Sequence, residues 1–331
     1  MLIKLKQRFQ KNPTLYYAMS VAASWAGVGS LMNSITMTNT YGIIPSLIWS
    51  LGNSVACCLF GVLACKLDAL RKIMRLKITQ FIIGFMSIFQ LWINMNGIRE
   101  IYTDTPIGET GGTVIVYAVC ITFIIILLKF GMIRNVLTDS GSWVVVYGLV
   151  LALTVAAFIF TGGNTNELSM GLEWPNMQVG ITKGLLLLPG PFTFPYFYKL
   201  LDYNDQNDDN TQKTNIKMSF VLGGLMFGFY MIFTFALAFV QFSPALNLIK
   251  AILISIIGIS TISTFIYSMY IVFGRILGLI IDVFAVVFWP FVLPLGVMGV
   301  WTLMAEIRVY FVIALIVAAV LMTVVKKRRL A

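Results

Sequence analysis

The chain has 331 residues, of which 59% are hydrophobic and only 11% carry a charge. About a quarter of the residues of a soluble domain are charged, so this chain has too little polar surface to cover a globule in water. Its apolar residues come in blocks of about 20, the length that a helix needs to cross a bilayer. Backbone amides in lipid must be satisfied by helices or closed barrels, and these continuous blocks favour helices.

The reactive residue types are sparse. The chain has no histidine, and its four cysteines, Cys57, Cys58, Cys65 and Cys120, lie within or at the ends of apolar segments. Histidine metal ligands and histidine proton relays are therefore excluded, and we interpret the cysteines as small packing residues. No motif pairs a nucleophile with a base, so the sequence does not predict an enzyme, and no cofactor is expected beyond a coupling ion.

The predicted elements begin after a basic stretch, residues 1–12, which we interpret as a retained cytoplasmic tail. Ten transmembrane helices are then predicted, near 14–38, 43–65, 76–98, 113–130, 142–160, 181–200, 217–241, 246–274, 277–300 and 305–325. The longest polar loop is 201–217, and the sizeable outer connection is 161–181. The prediction is therefore one all-α membrane domain spanning residues 1–331.

The distribution of charge predicts the orientation of these helices. When the loops alternate between sides, all but four of the 23 Lys and Arg residues fall on one side, the exceptions being Arg99, Lys183, Lys250 and Arg308. This positive-inside bias predicts that both termini are cytoplasmic, in a cell or cytoplasmic membrane. It also makes the net charge of +10 a signal of topology and not of nucleic-acid binding.

The ten helices divide into halves of five, 14–160 and 181–325, which would enter the membrane from opposite sides as inverted repeats. The first helix of each half is interrupted, by small residues at 24–34 and by three prolines within 187–197. Proline removes a backbone donor, and irregular backbone at membrane depth is tolerated where it lines a polar cavity. Matching breaks therefore predict a binding site at the midplane, although Gly and Pro are also common in membrane helices that have no site.

Several short motifs in these helices carry a family resemblance. They are the opening at 23–30, 41–42 and 48–52, the turn 130–139 that ends in Thr138-Asp139, and the hydroxyl-rich stretch 259–264. They resemble the sodium/solute symporter family, within the LeuT-type superfamily of five-plus-five inverted repeats. Members of that family usually carry helices on either side of a ten-helix core, whereas this chain is expected to correspond to the core alone. Other branches, such as nucleobase or amino-acid permeases, stay open.

The resemblance implies a sodium site. Its ligands would be the backbone carbonyls of Ala23, Ala26 and Ile257 and the hydroxyls of Ser260 and Thr261. The alternative is that these hydroxyls bond to carbonyls four residues back or join helices together. Asp139 also has a structural alternative to binding an ion, since it could cap the next helix or pair with Arg134.

Polar and aromatic residues near the breaks are the candidates for contact with a solute. Gln90 and Asn94 share a helix face at i, i+4 spacing. The full set is Trp25, Ser30, Asn33, Gln90, Asn94, Phe192, Thr193 and Tyr196. For each aromatic residue, packing in the core or against lipid is the competing interpretation.

The acidic residues Asp139, Asp282 and Glu306 are predicted near helix ends, so a membrane-embedded proton carrier is not expected, and coupling to sodium or no coupling at all is favoured. Without a buried charge, the expected solute is neutral or zwitterionic. The sequence thus predicts a sodium-coupled transporter of a small polar solute, with sodium, the solute and the lipid bilayer as its partners. The alternative is a transporter-like sensor, receptor subunit or scaffold that does not transport.

Overall fold

The computed structural model describes residues 12–126, 132–206 and 215–330, except for the side chains at 126, 132–140, 142–144, 203–206 and 325–330. This part of the chain is all-helical and contains thirteen α-helices. They are α1 Pro13–Trp25, α2 Val28–Tyr41, α3 Ile43–Lys66, α4 Asp68–Met74, α5 Lys77–Ile101, α6 Gly108–Ile126, α7 Met132–Phe160, α8 Trp174–Leu185, α9 Pro195–Gln206, α10 Ile216–Phe239, α11 Pro244–Phe273, α12 Arg275–Phe288 and α13 Gly296–Leu330.

Six segments of the described residues are long and apolar enough to cross a membrane. They are Ile43–Lys66, Lys77–Ile101, Gly108–Ile125, Ile216–Phe239, Pro244–Phe273 and Leu293–Val324. Large apolar side chains such as Phe160, Ile276 and Phe291 face outward, where lipid rather than water would solvate them. The fold is therefore that of a multi-pass helical membrane protein, while ten separate spans and an inverted repeat stay predictions.

The first predicted helix is interrupted as its sequence indicates. Helix α1 ends at Trp25 and α2 begins at Val28, and Gly27 between them is extended, with φ −81° and ψ 166°. A Cβ atom on Gly27 would lie 2.0 Å from the amide oxygen of Asn94, so α5 approaches the break too closely for any side chain. The break is therefore held by packing against α5.

The sixth predicted helix is interrupted as well, over a longer stretch. Helix α8 ends at Leu185, a 3-10 turn spans Gly190–Thr193, and α9 begins at Pro195. Pro189, Pro191 and Pro195 have no N–H to donate, so a regular α-helix cannot pass through them. Both predicted breaks are confirmed.

The predicted boundaries of the last two helices are wrong. Helix α12 ends at Phe288, two 3-10 turns follow at Trp289–Phe291 and Leu293–Leu295, and α13 already begins at Gly296. Pro290 and Pro294 end the ninth helix early for the same reason that prolines break the sixth. With these boundaries Asp282 lies in the middle of α12 and Arg308 lies well inside α13, and both are buried.

Two predictions about charge fail as a result. Arg308 lies inside a helix and not at its outer end, so the interior contains a buried charge. The preference for a neutral or zwitterionic solute depended on an uncharged interior and therefore loses its basis. Asp282 is likewise not near a helix end, so the acid-free interior that favoured sodium over protons is not found.

The predicted turn before the fifth helix also needs correction. Residues 127–131 lie outside the described part of the chain, and α7 begins at Met132. The backbone of Asp139 is therefore helical, and the residue cannot cap the start of that helix as predicted. The side chains of Arg134 and Asp139 are outside those that the structure describes.

Close packing of helices positions the two breaks against each other. Helix α3 packs against α8 and α10, α1 packs against α10, and α5 packs against α11 and α13. Glycines permit this, since a Cβ on Gly52 of α3 would lie 2.5 Å from the carbonyl oxygen of Gly184 in α8. Small residues at such contacts are typical of helix pairs in membranes.

Candidate functional site

A cavity lies where the two broken helices meet α3, α5, α11 and α13. Its volume is about 20 Å³, which is room for a single water molecule. Its lining residues are Trp25, Gly27, Ser30, Trp49, Asn53, Gln90, Ile93, Asn94, Leu187, Thr261, Phe265, Trp301 and Arg308. Both breaks therefore contribute to one cavity, the first through Gly27 and the second through Leu187.

The cavity lies at mid-depth in the helices that could span a bilayer. Asn53, Gln90, Thr261 and Arg308 are each near the middle of the spans Ile43–Lys66, Lys77–Ile101, Pro244–Phe273 and Leu293–Val324. Polar side chains at that depth are costly unless they contact one another or a polar ligand. The lining is therefore unusual for a packed membrane interior.

Four of the predicted solute-binding residues line this cavity, namely Trp25, Ser30, Gln90 and Asn94. The indole N–H of Trp25 donates to the amide oxygen of Asn53 at 3.3 Å. Asn94 donates through Nδ2 to the carbonyl of Gln90 at 2.8 Å and accepts the backbone N–H of Gly29 at 3.4 Å. The polar face of α5 is thus bonded to the first break.

The other four predicted residues lie outside the cavity lining. The ring of Phe192 packs against Phe60 with centroids 5.3 Å apart, and the Thr193 hydroxyl donates to the carbonyl of Gly190 at 2.8 Å. The Tyr196 hydroxyl is 2.8 Å from that of Ser20. These three residues stabilise the second break by packing and by hydrogen bonds. Asn33 is buried in α2, and its amide atoms have no hydrogen-bond partner among the described residues.

The first break changes the bonding of two carbonyls in the predicted sodium site. The Gly27 N–H donates to Trp25 at 3.1 Å, and the Ser30 N–H donates to Gly27 at 3.1 Å. In a continuous helix these two N–H groups would bond to the carbonyls of Ala23 and Ala26. The break thus directs two helical donors away from these carbonyls.

The remaining predicted sodium ligands lie on α11, which packs against both α1 and α2. Ile257, Ser260 and Thr261 are buried, and Thr261 lines the cavity. The Thr261 hydroxyl donates to the carbonyl of Ile257 at 3.1 Å, which is the bond that the structural alternative expects. That bond uses the hydroxyl hydrogen, and the lone pairs of Thr261 Oγ1 can still accept a cation.

Sequence reasoning missed the most strongly polar part of the lining, which is formed by Trp49, Asn53 and Arg308. Each is 1% exposed. The Trp49 indole nitrogen, Asn53 Nδ2 and Arg308 Nε have no hydrogen-bond partner among the described residues. The available signal was an arginine in the apolar run 300–321, but the predicted helix start at 305 placed it near an end.

Comparison with known proteins shows only distant similarity. No protein-family model matches the sequence, and no curated protein matches it. A solved structure of a manganese transporter from Eremococcus coleocola, in complex with an aromatic bis-isothiourea substituted compound, is 13% identical. The match covers 91% of this chain and 76% of that chain with a TM-score of 0.43, which is too low to establish a common fold. Among the described residues, no three Cys, Asp or Glu side chains are grouped to hold a metal ion.

The contact between Gly27 and Asn94 provides a test of how the first break is held. Gly27→Ala places a methyl group on the Asn94 amide, so we expect a loss of about 1–3 kcal/mol in the free energy of unfolding. Adding Asn94→Ala removes all three atoms nearest to that methyl group and should restore part of the loss, as measured by thermal unfolding in detergent.

Gly148→Ala is the matched control, because a Cβ atom there meets no other atom within 4 Å. Its unfolding temperature should stay the same or rise slightly, since alanine is the better helix former. Additive losses from Gly27→Ala and Asn94→Ala would contradict the contact.

Proposed function

We propose that this protein is a secondary active transporter that moves a small polar solute across a membrane by alternating access. The observation that carries the proposal is that both broken helices line one polar cavity at mid-depth. Broken helices supply unbonded backbone groups where a membrane protein otherwise has none, and transporters use them to bind solutes and ions. The solute would occupy the cavity after the cavity widens. Both termini of the transporter would lie in the cytoplasm.

We propose that sodium is the coupling ion. Two features support this, namely the carbonyls of Ala23 and Ala26 that lose their helical donors, and the hydroxyls of Ser260 and Thr261 on the adjoining helix. Neutral oxygens of this kind suit a monovalent cation. Sodium would then stabilise the broken conformation of the first helix, and solute would bind beside it.

One observation favours a second candidate, a sensor or receptor subunit with a transporter-like fold. The cavity of about 20 Å³ holds no more than a water molecule, so binding of a solute requires side chains or helices to move. A sensor needs one such movement on binding, whereas a transporter must open the cavity to each side in turn.

The ion site can be tested by the double substitution of Ser260→Ala and Thr261→Ala. We expect sodium to raise the unfolding temperature of the native protein relative to potassium at equal ionic strength, because a ligand of the folded state stabilises it. The double variant should lose this difference.

Ser268→Ala is the control, since Ser268 lies on the same helix and donates to the carbonyl of Thr264 at 2.9 Å, away from the cavity. It should keep the full sodium effect. Equal responses to sodium in all three proteins would remove the basis for coupling at this site.

Transport itself can be tested in proteoliposomes with an imposed inward sodium gradient. Compounds that raise the unfolding temperature of the purified protein are the ones to assay. A transporter should accumulate such a compound above its external concentration and stop when the gradient is collapsed by an ionophore. Binding with no accumulation under the same gradient would favour the sensor.

A further inference from the structure

The cavity contains one charged side chain, and its surroundings do not neutralise it. Arg308 lies at mid-depth on α13 and is 1% exposed. Its Nη2 donates to the sulfur of Met304 at 2.9 Å, and a thioether is a weak acceptor. Its Nε has no hydrogen-bond partner among the described residues. A buried charge in this state is costly, and proteins retain such groups where they bind something.

Among the described residues, no carboxylate lies in the lining of this cavity to balance the charge, and Asp282, which is also buried, lies on α12, outside the lining. The described ion pairs are made by Arg71, Arg75 and Arg99. Glu306, the nearest acid along α13, is exposed on another face of the helix. The guanidinium therefore presents an unbalanced charge and an unpaired Nε donor to a group that enters the cavity.

Two further residues with unpaired donors line the same cavity. The indole N–H of Trp49 and the Nδ2 group of Asn53 are unpaired among the described residues, and both side chains are as buried as Arg308. Together with the charge and the unpaired Nε of Arg308, these two donors would suit a ligand that is rich in acceptors and negatively charged. A guanidinium matches the two oxygens of a carboxylate in particular, because its N–H groups form a planar fork.

The second break lies directly against this group. A Cβ atom on Gly190 would be 3.1 Å from Nη1 of Arg308 and 2.4 Å from the ring of Trp25. The backbone of the second break thus packs on both Arg308 and the first break. A ligand bound by Arg308 could therefore shift the positions of both broken helices.

We propose that the solute carries a single carboxylate and that this carboxylate pairs with Arg308, assisted by Trp49 and Asn53. The inference rests on the proposed binding function of this cavity and specifies the chemical class of the solute. One carboxylate neutralises one guanidinium, whereas a second would carry an unpaired negative charge into a low-dielectric interior.

The test uses the purified full-length protein and two matched pairs of probes, propionate with propionamide and L-alanine with L-alaninamide. Each pair differs at the carboxylate, which the amide replaces at almost equal size. We expect the acid of at least one pair to raise the unfolding temperature and its amide to have no such effect. Arg308→Gln should weaken binding of that acid at least thirtyfold, as is usual when one partner of a buried charge pair is removed.

Two controls make the result specific to Arg308. Arg275→Gln removes an exposed arginine outside the cavity and should bind the acid like the native protein. Arg308→Met should unfold at the same or a higher temperature than the native protein without ligand, because it removes an unpaired buried charge. A marked drop would make Arg308 a structural residue and overturn the proposal.

The remaining outcomes are also decisive. Equal shifts by acid and amide, a shift that survives Arg308→Gln, or no shift by either acid would each overturn the carboxylate assignment. A shift by chloride relative to sulfate that Arg308→Gln abolishes would instead identify a halide site. Binding of an acid without sodium-driven accumulation would contradict the proposed transport and leave the carboxylate assignment standing. Equal accumulation by the native protein and Arg308→Gln would support transport and contradict the carboxylate assignment.

Discussion

The absence of water from the hydrocarbon core is the constraint on which the rest of this structure depends. Every backbone N–H and carbonyl at that depth needs a partner, and a regular helix supplies it within its own turn. At Ala26–Gly27 and at 186–194 the regular α-helical pattern is interrupted, and several of its bonds are replaced by bonds to carbonyls two or three residues back. The two breaks lie together against α5 and α13, and both border one small cavity whose lining includes polar side chains. Their placement makes the cavity the place where a ligand would have most effect on the helices.

The parts of this arrangement that depend on local chemistry could be predicted from the sequence. Proline and glycine change backbone geometry wherever they occur, so the breaks at 24–34 and 187–197 were predictable from the residues themselves. Gln90 and Asn94 were predictable as a pair because i, i+4 spacing places both on one helix face. The remaining errors concern helix boundaries and packing partners. A run such as 277–325 is apolar throughout, and hydropathy does not show whether Pro290 and Pro294 end one helix or bend it.

The boundary error had consequences for the chemistry of the site. With α13 starting at Gly296, Arg308 moves from a helix end to mid-depth, and the expectation of an uncharged interior fails with it. Trp49 and Asn53 were missed for a different reason, since a tryptophan and an asparagine in a membrane helix usually pack against other helices. Their unpaired donors become visible only when the partner helices are in place. Phe192 and Tyr196 of the second break were predicted to contact the solute, but they pack in the core and do not line the cavity.

The central claim is that this cavity opens to each side of the membrane in turn, and accessibility of Ser30 tests it most directly. Ser30 lines the cavity and is half-buried, so a cysteine there can react with a membrane-impermeant thiol reagent when water enters. The measurement would use Ser30→Cys in a background with the four native cysteines replaced by alanine, in vesicles of both orientations. We expect labelling from both sides, with sodium raising the rate from one side and lowering it from the other. Labelling from one side only, or rates that ignore sodium, would contradict alternating access at this cavity.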